Sequence, residues 1–125
     1  MSEIRARLRE LGLENEFGYR REAKLLPDCL ESDETLQAIT GGIREGARWY
    51  ILLTERRLLL LSKPSLGAVR LIGLDRSEIR RVEPRKGLIF ASLNIETAQG
   101  AYTFTNVLKK SLPPFMAALA HGETQ

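Results

Sequence analysis

Few residues of this chain carry side chains that could react. His121 is the only histidine and stands four residues from the end, beside Gly122, where a chain frays. Cys29 is the only cysteine. No nucleophile–base pair, intrachain disulfide or thiolate metal set can be assembled from these two. Flanked by Leu25, Leu26 and Leu30, Cys29 reads as a small buried hydrophobe. Carboxylates crowd at Asp28, Glu31, Asp33 and Glu34, but without the spacing of a calcium loop, and they read as caps and a solvated turn. Gly41-Gly42 is too short to cradle a phosphate and reads as a bulge. Neither an enzyme, a metal site nor a cofactor is expected. The chemistry left is that of binding.

Cations are the stronger candidates. Residues 1–40 carry six Lys/Arg against nine Asp/Glu, and residues 41–125 carry thirteen against seven, so a basic body follows an acidic extension. In an antiparallel meander, alternate connections share one end. That arrangement would gather Arg44, Lys63, Arg85 and Lys86, with Arg48 near, into a candidate anion-binding end. Acidic lipid or a phosphorylated ligand would meet it weakly and with salt sensitivity. Nucleic acid is not favoured, since Phe90 is the only aromatic placed outward and no stacking platform forms.

The elements that must position these groups centre on "RWYILLTERRLLLLSK", residues 48–63. A membrane-spanning helix needs about 20 apolar residues in a row, whereas Glu55-Arg56-Arg57 splits this run in two. Glycines at 41, 42 and 46 precede it, and Pro64 and Gly67 follow, which is the punctuation of short strands. The run therefore predicts a hairpin: 47–54, a turn at Glu55-Arg56, and a return over 57–62. Leucines occupy both faces of the return strand, so both faces must be covered. The candidates for the outer cover are N-terminal helices or another subunit. Leu58, Leu60 and Phe90 form the candidate protein-interaction surface.

Five further strands are predicted over 35–40, 67–74, 77–84, 87–97 and 101–106. The fourth of these has clean period-two alternation, with Ile89, Ala91, Leu93 and Ile95 on one face. Leu112, Phe115, Met116 and Leu119 then fall on one stripe of a helix, with Ser111 as its cap and Pro113-Pro114 in its first turn. At the other end, Ile4, Leu8 and Leu11 mark a helix ending near Gly12, and a second covers about 16–26, stopping at Pro27. Residues 1–30 make a helical extension, 31–122 the domain and 123–125 a frayed tail. The fold class is mainly β: about seven antiparallel strands in a small barrel or sandwich, plugged by the C-terminal helix. The N-terminus lacks the apolar run of a signal peptide, and a cytoplasmic protein is expected.

"ILLTERRLLLL", followed by "GLDRSEIRRVEPRKGLIFASLNIETAQGAYTFTNV" and a helix, resembles the bacterial pleckstrin-homology-like (PH-like) domains of the YokE-like group. Thr54, Arg57, Ile79, Val82, Gly87 and Phe104 stand where that pattern has its marks. The resemblance covers about 25–120. It implies two nearly orthogonal sheets capped by the last helix, a non-enzymatic module, and self-association. Thr54 and Arg57 are then structural, the hydroxyl bonding the turn and the guanidinium bonding carbonyls or a carboxylate. Domains of this fold that hold inositol phosphates carry a lysine and then a basic-x-arginine triplet across the first hairpin. Here Arg44 and Arg48 stand without the lysine and with Glu45 in the turn, so phosphoinositide recognition is not expected. A protein partner or homo-oligomer is the preferred expectation, with weak binding to an anionic surface as the alternative.

Overall fold

The computed structural model of the protein describes residues 30–62 and 68–123. The two expected N-terminal helices, Cys29, Asp28 and Lys63 lie outside the described residues. In order, the chain forms β1 (Leu36–Arg44), β2 (Ala47–Thr54), β3 (Arg57–Ser62), β4 (Arg70–Asp75), a 3-10 turn at Arg76–Glu78, β5 (Ile79–Lys86), β6 (Ala91–Thr97), β7 (Gly100–Val107), a 3-10 turn at Lys109–Ser111 and helix α1 (Leu112–Glu123). The greasy run doubles back at Glu55-Arg56, with Leu53 opposite Leu58. Glu45 and Gly46, at φ 53° and 75°, link β1 to β2 through a two-residue turn whose twist suits the hairpin.

The strands join into one sheet of order β4-β3-β2-β1-β7-β6-β5, where two separate sheets were expected. The link between the halves is narrow: Ile43 of β1 pairs with Thr105 of β7. Gly42 makes it possible. A Cβ there would stand 2.5 Å from the Thr105 carbonyl oxygen and 2.9 Å from Val107, so only a bare backbone admits β7. Gly41 and Gly42 pair regularly with Tyr50 and Trp49, and the irregularity in β1 falls instead between Leu36 and Ala38. β1 therefore runs four residues beyond its expected end.

Alternation sets what each face carries. Ala38, Leu53, Leu58 and Leu74 form one cross-strand row, and Ile51, Leu60 and Ile72 lie in the next. These rows share one core with Ala91, Leu93, Ile95 and Phe104 from the other half, and with Leu112, Phe115 and Leu119 of α1. The sheet thus curls over itself and α1 plugs the fold, as its stripe predicts. Ser111 does not cap the helix: its hydroxyl lies 2.7 Å from the Thr40 hydroxyl and donates to the Leu108 carbonyl at 2.7 Å. β6 begins at Ala91, four residues later than expected, because Gly87 N–H closes a tight loop on the Phe90 carbonyl at 2.9 Å. Ile89 consequently leaves the core face it was assigned. No described helix is long and apolar enough to cross a membrane.

Candidate functional site

The loop between β5 and β6 presents three consecutive apolar side chains to solvent: Leu88 is 100% exposed, Ile89 77% and Phe90 44%. Surface apolar residues scattered singly need no explanation, but a run at a hairpin tip does. Two local features fix its shape. At Gly87 a Cβ would lie 2.7 Å from the Phe90 carbonyl oxygen, so a side chain there would open the loop. From the far side, the Lys109 ammonium donates to the Leu88 carbonyl at 2.7 Å. That bond ties the tip to the approach of α1 and brings a cation beside it. Arg85 and Lys86, both exposed, stand at the end of β5 just before the loop. The tip is apolar with a basic collar.

Of the other expected cations, Arg44 and Arg48 stand on the β1–β2 hairpin at the same end of the sheet, with β7 and β6 between that hairpin and β5. The Arg44 guanidinium pairs with Glu45 at 3.0 Å and lies 5.4 Å from the Trp49 ring and 5.0 Å from the Tyr102 ring. Arg70 covers the Trp49 ring at 4.9 Å. Trp49 is buried beneath these two cations and donates its indole N–H to the Arg44 carbonyl at 3.2 Å. Arg44 is therefore occupied in closing the core. Arg48 is half-buried next to Trp49, and its carbonyl accepts from the Ser62 hydroxyl at 2.7 Å.

Of the three residues assigned to a protein-interaction surface, Leu58 and Leu60 are corrected. Both are buried in the central core, at 1% and 0% exposure. Arg57 explains why. Its charged side chain points away from the core, and residues of the same parity, 59 and 61, must follow it to that face. Phe90 alone of the three is exposed.

The opposite end of the sheet is a structural knot. Arg57 grips the carboxylate of Glu34 at 2.7 and 2.8 Å, and the Thr54 hydroxyl donates to the same carboxylate at 2.7 Å. Thr54 Oγ1 also accepts the Arg56 and Arg57 N–H groups at 3.2 and 3.0 Å, which fixes the turn. The Glu34 side chain has no exposed surface. The Arg57 hydrogen bonds hold its carboxyl down at about 2, helped by the Glu31 N–H and the Thr54 hydroxyl and opposed by desolvation. Glu34 thus leaves the solvated cluster it was assigned to, while Asp33 and Glu31 remain exposed and bond to Arg56.

Arg76, which sequence reasoning passed over, reaches from the 3-10 turn to Gln37 Oε1 at 2.7 Å and the Thr54 carbonyl at 2.9 Å. Its other nitrogen reaches the Ala118 and Leu119 carbonyls at 3.1 and 3.4 Å. Nothing local in "LDRSEI" distinguishes this arginine from its neighbours. Among the described residues, no group of three or more His, Cys, Asp or Glu side chains could hold a metal ion.

The fold has solved counterparts. A pleckstrin homology domain from Shewanella amazonensis superposes with a TM-score of 0.57 at 18% identity, covering 83% of this chain and 96% of that one. The C-terminal domain of an unknown protein from Leishmania infantum does so at 0.57 and 19%, covering 80% and 93%. A DUF1696 family protein with a pleckstrin-homology domain from Shewanella loihica gives 0.50 and 19%, covering 80% and 90%. At these identities the likeness speaks to fold alone. No curated protein matches the chain. The sequence itself settles the kinship: residues 30–121 match the bacterial PH domain family, and the chain belongs to it.

Proposed function

We propose that this PH domain is a non-catalytic module that docks reversibly on an anionic bilayer, with Leu88, Ile89 and Phe90 entering the interface and Arg85, Lys86 and Lys109 meeting the headgroups. The observation that carries this reading is the full exposure of Leu88 at a tip pinned by a lysine. Burying each apolar side chain contributes about 1.5–3 kcal/mol, and each cation near an acidic leaflet about 1 kcal/mol. Neither contribution alone holds a protein on a membrane. Together they suit a weak, salt-sensitive attachment. The cytoplasmic leaflet, with its acidic lipids, is the surface such a collar fits.

Flotation of the full chain with phosphatidylcholine vesicles, with and without phosphatidylserine, tests this at low and high salt. Binding should require the acidic lipid, weaken with salt, and disappear in Leu88→Asp/Ile89→Asp, while the unfolding midpoint stays put. Absence of binding to acidic vesicles, or binding indifferent to the double substitution, overturns it.

A protein partner, including a second copy, is the other reading, and one observation favours it. β4 has a single strand neighbour among the described residues, and on or beside it Val69 and Leu71 are 46% and 49% exposed. Such an edge accepts strand addition. Self-association there would make the mass in solution concentration-dependent, and Leu71→Arg would abolish that dependence. The finer kinship with the YokE-like group, which carries the self-association expectation, rests on the pattern through Thr54, Arg57, Ile79, Val82, Gly87 and Phe104.

A further inference from the structure

The sheet has a second apolar face. On the side away from the core, Ile39, Leu52 and Leu59 form one cross-strand row, and Tyr50 and Leu61 stand in the next. None of the five is more than 1% exposed. They are not part of the core cluster. α1 and the β5–β7 half pack on the other face, so none of the described elements lies over these rows. The coverage is also narrow. Leu71, which continues the second row onto β4, is half exposed, and Gly73, which continues the first, is exposed. Three strands, two steps of about 4.8 Å, are covered and the fourth is not. That is the width of one helix, about 10 Å, rather than of a second sheet.

We infer that residues 1–29 of this chain are the cover, making the outer face of β1–β3 an intramolecular docking surface for the N-terminal extension. The burial arises within a single chain, which removes a second copy as its source. Residues 63–67 link the neighbouring strands β3 and β4, and five residues, about 17 Å fully extended, cannot run out over β1 and back. The approach of the chain points the same way. Glu34 bonds Thr54 and Arg57, whose side chains share the face of Leu52 and Leu59, so the segment 30–35 lies at the margin of the apolar rows. Twenty-nine residues precede that segment, and Ile4, Leu8 and Leu11 supply an apolar stripe at helical spacing. A helix of about ten residues is about 15 Å long, enough to cross three strands.

Thiol protection tests this in the full chain. In a Cys29→Ser background, Leu59→Cys or Ile39→Cys places a reporter in the first row, and Leu93→Cys places one in the core. Both outer reporters should react slowly with a thiol reagent, at a rate independent of protein concentration. Adding Leu8→Asp/Leu11→Asp should accelerate them about tenfold or more by weakening the local cover, while Leu93→Cys stays protected. The inference is overturned by outer reporters that react freely in the otherwise native chain, that ignore the aspartates, or that lose protection on dilution. It is equally overturned if Leu93→Cys opens in parallel with them.

Discussion

Arg57 holds Glu34 by both carboxylate oxygens, Nε to Oε2 at 2.7 Å and Nη2 to Oε1 at 2.8 Å. Twenty-three residues separate the two in sequence. The pair fastens the segment before β1 to the turn between β2 and β3, and Thr54 completes it with a hydroxyl that serves carboxylate and turn together. Glu34 is closed off from solvent while Arg57 keeps a quarter of its side chain exposed.

Glu34→Gln therefore removes the charge that the Arg57 guanidinium grips in a mostly desolvated place. Losing one partner of a buried pair costs about 3–5 kcal/mol, and the partial exposure of Arg57 puts this case near the low end. Urea denaturation at neutral pH should show a destabilisation of about 3 kcal/mol with an unchanged m-value. A loss under about 1 kcal/mol would place the pair among surface contacts.

The same carboxylate predicts an acid limb. Its value in the folded protein is about 2 against an ordinary 4.5. A depressed folded value means that the native state holds the charged form more tightly than the unfolded chain does. The resulting stability is complete above about pH 5 and fades as pH falls through 4.5 toward 2. A depression of that size corresponds to about 3 kcal/mol. Stability measured across that window should fall more steeply for the native chain than for Glu34→Gln, and the two curves should converge near pH 2. Parallel curves would show that Glu34 takes no part in the acid transition.

Arg76 joins three elements that are distant in sequence. One nitrogen bonds β1 and β2 through Gln37 and the Thr54 carbonyl, and the other meets the last turns of α1 at Ala118 and Leu119. A cation on those carbonyls also opposes the negative end of the helix. Hydrogen bonds to a charged donor contribute about 1.5–3 kcal/mol, so Arg76→Ala should cost about 2–3 kcal/mol and speed amide exchange in the final turn of α1 more than in β6. Arg76→Lys should recover little, because a single ammonium cannot reach both sides.

How much of this was legible differs by element. The hairpin at Glu55-Arg56 and the stripe of α1 follow from periodicity and punctuation and are where the sequence puts them, and the alternation of β6 holds from Ala91 onward. The parity of β3 was also available. A charged Arg57 cannot face the core, which sends Leu59 and Leu61 outward and Leu58 and Leu60 inward, the reverse of the assignment made from leucine content alone. The β5–β6 tip was not legible, because "KGLIFASLNIET" alternates from its first residues and only the Gly87–Phe90 hydrogen bond shows where the strand starts. Glu34 and Arg76 were hidden for a different reason. Their partners lie about 20 or more residues away, and a lone charge in a polar stretch looks the same whether it is solvated or paired.

Gly42 offers the sharpest test of the joint between the halves of the sheet. Its missing side chain lets the Thr105 carbonyl approach to 2.5 Å of where a Cβ would stand, with Val107 and Phe104 close behind at 2.9 and 3.1 Å. The nearest atom is backbone and cannot swing aside, so Gly42→Ala must push β7 away from β1 at the Ile43–Thr105 pair. Overpacking of this kind costs about 1–3 kcal/mol. Gly73→Ala is the matching control, since its new methyl would meet only side-chain atoms at ordinary distances, Leu59 at 3.6 Å and Arg57 at 3.9 Å. Thermal or urea unfolding should show Gly42→Ala lowered by about 2 kcal/mol or more and Gly73→Ala within about 0.5 kcal/mol of the native chain. If the two behave alike, the close approach of β7 at Gly42 is not what joins the halves.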